Sequence, residues 1–262
     1  MSPIAELVRR SDPDRFFTSL FAPAETRETL LLLYAFNHEL ARAREVASQP
    51  MLAMIRLQWW REVVEGTHRR HEVAEPLSVA LDAGALHRGD LLAMIDAREM
   101  EADDRVANRA AWLTYLEGAA GGLALAAGRV LGADAATRWR LRDLGAGYGV
   151  AGQLANVEVL AQRERCMLPE DVLAAHGLSA GHVIHDPGCV RPVALELLKD
   201  GDGFIRRGGG WFPRAVIAAA LPAVLARRDL RHWARHGVPR PPGPRGAGCK
   251  LAVLGAALVG KV

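Results

Sequence analysis

The placement of glycine constrains this fold more than any other feature. Between Asn108 and Leu131 the chain is rich in alanine and leucine, as a helix would be, yet it holds Gly118, Gly121, Gly122 and Gly128. The next such stretch, Ala135 to Gln162, holds Gly145, Gly147, Gly149 and Gly152. A glycine inside a helix costs roughly 1 kcal/mol relative to alanine, so each position needs a compensating reason. Either the helices pack at close range, or they leave room for a ligand in a central cavity. Two glycine-rich helices facing each other favour a cavity more than one alone.

The other segments agree with an all-α chain. Pro23 opens a helix reaching about Val46, because proline in a first turn sacrifices no hydrogen bond. Pro50 opens the next, where Met54, Ile55, Leu57, Trp60, Val63 and Val64 recur at spacings of three and four before Gly66. Trp60 falls on the core side of that helix and Trp59 at its boundary. Further helices are expected over Glu75–Leu86, Arg88–Glu101, Pro169–Gly177, Cys189–Asp200 and Pro213–His236. The Asp103-Asp104 pair reads as a solvated, capped turn. No stretch alternates apolar and polar residues as a strand would, and no internal repeat is present.

Half of the 262 residues are hydrophobic, enough for a sizeable core. Residues 1–237 are expected to form one helical domain. Residues 238–262 comprise a proline-rich linker, Pro239-Arg-Pro-Pro-Gly-Pro-Arg-Gly246, and the apolar segment Leu251–Gly260. As a helix that segment would span about 15 Å, half a hydrocarbon core. With Lys250 and Lys261 at its ends, it is either an interfacial helix on anionic lipid or a last core helix.

Three cysteines are too few and too scattered for a disulfide framework or a zinc site. Met1 to Arg15 lacks the apolar run of a signal peptide, and no segment has the ~20 apolar residues of a membrane span. A cytoplasmic location is expected, with peripheral contact at the inner membrane as its extension. The net charge of +3 comes from arginines dispersed among acids, so no nucleic-acid partner is expected. The nine histidines show no metal spacing, and Gly208-Gly-Gly210 lacks the context of a phosphate loop.

Four pieces of sequence point further: Leu33-Tyr-Ala-Phe36, Arg56-Leu-Gln-Trp-Trp-Arg61, Gly149-x-x-x-Gln-Leu-x-Asn156 and Leu168-Pro169. In their order and separation the chain resembles the squalene/phytoene synthase family. The resemblance covers about Asp14 to Gly237 and implies the single-domain α-helical isoprenoid-synthase fold with a central cavity. Active members of that family join prenyl diphosphates held through Mg²⁺ by aspartates about one helical turn apart. That spacing puts two carboxylates on one helix face, and the metal neutralises the leaving diphosphate.

Here the pattern is depleted. Carried over from Phe36, the first carboxylate places hold Ala41, Arg42 and Glu45; carried over from Asn156, the second hold Leu160 and Glu164. The resemblance therefore implies a cavity lined by Phe36, Arg42, Glu45, Gln153, Asn156 and Glu164, with no metal site and no catalytic residue assigned. Mg²⁺ enters only if the chain is a prenyl transferase using Glu45 and Glu164 as sparse ligands. An alternative for Arg42, Arg44, Arg163 and Arg165 is a metal-free anion cluster, and the plain one is surface pairing of Arg42 with Glu39 and Glu45. Phe36-Asn-His-Glu39 with Arg56–Arg61 is most similar to the branch that includes the mitochondrial complex I assembly factor. A non-catalytic role in assembling respiratory NADH dehydrogenase, or a related membrane complex, is the leading expectation. Its partner is then a membrane-complex subunit; for a carrier it is an isoprenoid or lipid.

Overall fold

The computed structural model describes residues 1–47, 49–103, 105–237 and 245–262. Asp104 and most of the proline-rich linker lie outside the described residues. Among the described residues there are helices and two isolated bridges, Val106 with Pro169 and Trp211 with Lys261, but no strand.

The chain opens with a corner that sequence reading did not anticipate. Helices α1 (Pro3–Ser11) and α2 (Pro13–Ser19) start at Ser2 and Asp12, whose side chains accept the backbone N–H groups of Ala5 and Arg15. Both are short and chemically mixed, so neither carries a long apolar period. Helices α3 (Ala24–Glu45) and α4 (Pro50–Glu65) follow as expected, and α4 stops at Gly66 with a positive φ of 118°. Trp60 is buried while Trp59 is half-buried, and their rings meet edge to face at 4.8 Å. Helix α5 (Ala74–Asp82) is shorter than expected, and α6 (Arg88–Glu99) tightens into a 3₁₀ turn over Met100–Ala102.

Of the two glycine-rich segments, the first runs as α7 (Arg109–Leu116), a π-turn at Glu117–Gly121, and α8 (Gly122–Val130). The second is α9 (Ala135–Ala155), which breaks at Asn156 before the short α10 (Val157–Ala161). Close packing and open space both occur. A Cβ on Gly121 would come 2.9 Å from the Arg142 carbonyl oxygen, and one on Gly149 2.8 Å from the Ala120 Cβ. At Gly152 a Cβ would meet nothing within 4 Å. Helix α9 is thus pressed onto the π-turn between Arg142 and Gly149 and leaves a gap at its last turn, at Gly152.

Helices α11 (Glu170–Ala175) and α12 (Ala180–His185) lead through a 3₁₀ turn at Pro187–Val190 into α13 (Arg191–Gly208). Helix α13 runs two turns beyond expectation, because Gly201 lets it cross α9 at short range: a Cβ there would be 3.0 Å from Val150 Cγ1. The expected helix from Pro213 is divided, since Pro222 separates the short α14 (Ile217–Ala220) from α15 (Pro222–His236). The final apolar segment forms α16 (Ala247–Val259), which packs against α15 through buried Val253 and Ala257. Helix α9 occupies the centre, with α13 and α15 on one side and α8 with the π-turn on the other.

Candidate functional site

Two clefts open beside the last turns of α9. The larger, 870 Å³, lies between α2, α9, α15 and α16, and Phe17, Ala151, Ala155, Leu225 and Trp233 make much of its wall apolar. The smaller, 360 Å³, lies between the α1–α2 corner, α3, α6, the π-turn and α9. Ser11, Asp12, Tyr148, Gly152 and Asn156 line both, so the two share a wall. The missing side chain of Gly152 keeps that wall open.

The smaller cleft is polar, and its charges arrive already paired. Arg15 Nη1 lies 2.7 Å from Asp12 Oδ2, with its guanidinium over the Tyr148 ring at 4.6 Å. Arg98 Nη1 lies 2.5 Å from Glu101 Oε1, and Arg98 Nη2 donates to Asn37 Oδ1 at 3.0 Å. Burial works against both cations. Asp12 and Glu101 more than offset it, and both guanidinium pKa values sit above their ordinary range. Tyr115 donates a short hydrogen bond to Glu101 and accepts one from Gln153 Nε2 at 3.3 Å. Gln153 Oε1 is buried without a hydrogen-bond partner.

Tyr34, Tyr115 and Tyr148 all have pKa values pushed up, first by burial, with Asp12 adding for Tyr34 and Tyr148 and Glu101 for Tyr115. These are the only tyrosines in the chain. A phenol with a raised folded-state pKa contributes stability that is present below the unfolded value of about 10 and lost as pH rises toward the folded value. Stability should therefore fall steadily above about pH 10. Phenolate absorbance in the ultraviolet should rise together with loss of helical circular dichroism. Phenolate appearing at pH 10 with helicity intact would contradict this placement of the tyrosines.

The residues expected to line one cavity divide into two sets. Glu45, Gln153 and Asn156 line the polar cleft. Phe36, Arg42 and Glu164 do not. Phe36 is fully buried and meets Trp60 edge to face at 5.5 Å, because it sits on the core side of α3. Arg42 turns out of the cleft to Glu39, 3.1 Å away. Glu164 is exposed beyond α10 at a positive φ of 56°, uncommon for a residue with a side chain. The four arginines do not form an anion cluster. Arg163 faces Glu45 at 4.0 Å, Arg44 donates to the Ala47 carbonyl, and buried Arg165 donates to the Glu101 carbonyl.

The Arg42–Glu39 pair is also less superficial than expected, since the Glu39 side chain is only 9% exposed. Arg42→Ala should cost about 1 kcal/mol, above the ~0.3–0.5 kcal/mol of a fully exposed helical pair. Denaturant titration of the single variant and of Arg42→Ala/Glu39→Gln tests this. The double variant should recover most of the loss, and no loss in the single variant would refute the pairing.

Residues 8–243 match the family model described as Squalene/phytoene synthase. The chain belongs to the squalene/phytoene synthase family. It is 27% identical over 236 residues to "NADH dehydrogenase (ubiquinone) complex I, assembly factor 6" of Homo sapiens, covering 87% of this chain and 71% of that protein. The Mus musculus protein of the same name is 27% identical over the same shares. Among solved structures, a dehydrosqualene synthase in complex with ligand superposes with a TM-score of 0.79 at 14% identity, covering 98% of this chain and 94% of the other. A squalene synthase from Alicyclobacillus acidocaldarius gives 0.74 at 16% identity, covering 89% and 92%. The all-α isoprenoid-synthase fold expected from sequence is the fold found.

Within this squalene/phytoene synthase fold, Ala41 and Glu45 face the polar cleft from α3, while Leu160 is an apolar, partly buried side chain packed on the core. Among the described residues no three His, Cys, Asp or Glu side chains converge as metal ligands would. Asp12, Arg15, Arg98, Glu101, Tyr115 and Tyr148 were missed by sequence reading. The one available signal was the opposite charges three residues apart in Asp12-x-x-Arg15 and Arg98-x-x-Glu101.

Proposed function

We propose that this chain assists assembly of a respiratory NADH dehydrogenase or a related membrane complex, and that its isoprenoid-synthase fold serves as a scaffold without catalysing prenyl transfer. The observation that carries the reading is the relationship to complex I assembly factor 6, which extends across nearly the whole helical body. The chemistry of the polar cleft supports it. Arg15 and Arg98 are each engaged by an adjacent carboxylate, so little positive charge is left to hold a diphosphate. Mg²⁺ fits the donor set poorly: Ala41 and Leu160 offer no oxygen, and Arg42, at the third carried-over place, turns out of the cleft to Glu39 and offers none either.

The partner is then a subunit of the membrane complex or of an assembly intermediate, and the site of action lies beside the membrane. Among the described residues no helix is long and apolar enough to cross a bilayer. Affinity capture at native expression, from detergent-solubilised membranes and read by mass spectrometry, tests the reading. NADH dehydrogenase subunits should be enriched over an untagged control; their absence would oppose it.

The larger cleft favours a second reading, that of an isoprenoid or lipid carrier, because 870 Å³ of largely apolar space suits a prenyl chain. Organic extraction of the purified chain should then yield a stoichiometric lipid. Incubation with farnesyl or geranylgeranyl diphosphate and Mg²⁺ separates both from an active prenyl transferase. Squalene, phytoene or a presqualene-type product lost in Glu45→Ala would establish the enzyme.

A further inference from the structure

Helix α16 is amphipathic in reverse. Its buried side carries Val253 and Ala257, whereas Leu251, Leu254, Leu258 and Val259 face outward with exposures of 66%, 42%, 67% and 58%. Scattered exposed leucines are ordinary on a protein surface. A helix that turns all three of its leucines outward is not, and no charge interrupts residues 251–260. Trp211, 64% exposed, stands beside the end of α16: it forms an isolated bridge with Lys261, whose Nζ lies 5.7 Å from the indole ring centre. An exposed tryptophan next to a lysine is the pairing found at the boundary between headgroups and hydrocarbon.

Charge identifies what covers this face. Residues 211–262 hold nine of the chain's 33 lysines and arginines but only one of its 30 acids, Asp229, leaving residues 1–210 net negative. That one acid is engaged by Arg245 at 2.7 Å. Lys250 and Lys261 bracket the leucine row, and exposed Arg228 lies against the start of α16. A cationic rim around an apolar strip complements a negatively charged surface with an apolar interior.

We infer that the outer face of α16, with Trp211, rests in the interface of an anionic lipid bilayer, the leucines entering the acyl boundary and the flanking cations meeting the headgroups. This deepens the assembly reading by giving the chain its own membrane contact, and the contact can fail without affecting capture of a protein partner.

Flotation of the full chain with vesicles of equal parts phosphatidylglycerol and phosphatidylcholine, against pure phosphatidylcholine, tests the inference. The chain should float with the anionic vesicles at low salt and less at high salt. Leu254→Glu/Leu258→Glu, with an unchanged helical melting curve, should reduce the bound fraction at least about tenfold. Lys250→Glu/Lys261→Glu leaves the leucines in place and should weaken binding to anionic vesicles only, while Val79→Glu on the exposed side of α5 should change nothing. Three results would overturn the inference: no flotation of the native chain, equal flotation of the leucine variant, or a native dimer that the leucine variant converts to monomer without any vesicle binding.

Discussion

Truncating Phe36 to alanine is expected to destabilise the folded chain by about 3–5 kcal/mol. The ring is fully buried on α3 and packs edge to face with Trp60 of α4, which meets Trp59 and His71 in turn. Removing it forfeits the buried apolar area and leaves a void beside Trp60 that a close-packed core cannot fill without moving backbone. A shift of this size in the urea midpoint, with unchanged slope, would identify Phe36 as core. A loss below about 1 kcal/mol, accompanied by altered lipid retention, would return the ring to the cavity wall.

Gly145→Ala should cost about 1–3 kcal/mol although alanine is the better helix former by roughly 1 kcal/mol. The added methyl would collide with the Ala120 carbonyl oxygen and come within 2.6 Å of the Ala124 Cβ and 3.0 Å of Gly121 Cα. Two of those contacts are backbone, so α9 must move off the π-turn or the turn must deform. Gly152→Ala, two turns later in the same helix, meets nothing within 4 Å and should stabilise by about 0.4–1 kcal/mol. The opposite signs are the diagnostic result in thermal melts of the two variants. Two changes of the same sign would mean that the packing of α9 is not as described.

The glycine pattern was legible as a demand for compensation, but the sequence could not say which kind. Both kinds occur, because α9 leans on the π-turn at Gly145 and parts from it at Gly152. Helix starts were legible where proline or a capping side chain marks them, as at Pro50 and Asn108. The continuation of α13 through Gly201 and Gly203 was not, since close contact with Val150 depends on a helix some fifty residues away in sequence. The polar cleft was half legible. Glu45, Gln153 and Asn156 came from the resemblance to the family's motifs, whereas Arg15 and Arg98 come from separate helices that converge only in three dimensions. Phe36 and Arg42 were displaced from the expected lining by helical phase: consecutive residues of α3 point about 100° apart, so a motif contiguous in sequence faces both core and cleft.

Under the proposed function, this squalene/phytoene synthase fold serves assembly and the remaining motif carboxylates carry no chemistry. The most direct measurement is the amount of assembled NADH dehydrogenase, read on native gels, in cells lacking the chain and complemented either with the native chain or with Glu45→Ala/Glu164→Ala. Both carboxylates are largely solvated, and among the described residues Glu45 meets a cation only at the 4.0 Å approach of Arg163, so the double variant should fold normally. The complex should be depleted without the chain and restored equally by both forms. Restoration by the native chain alone would show that the carboxylates do chemistry, and an undiminished complex in cells lacking the chain would contradict the assembly role itself.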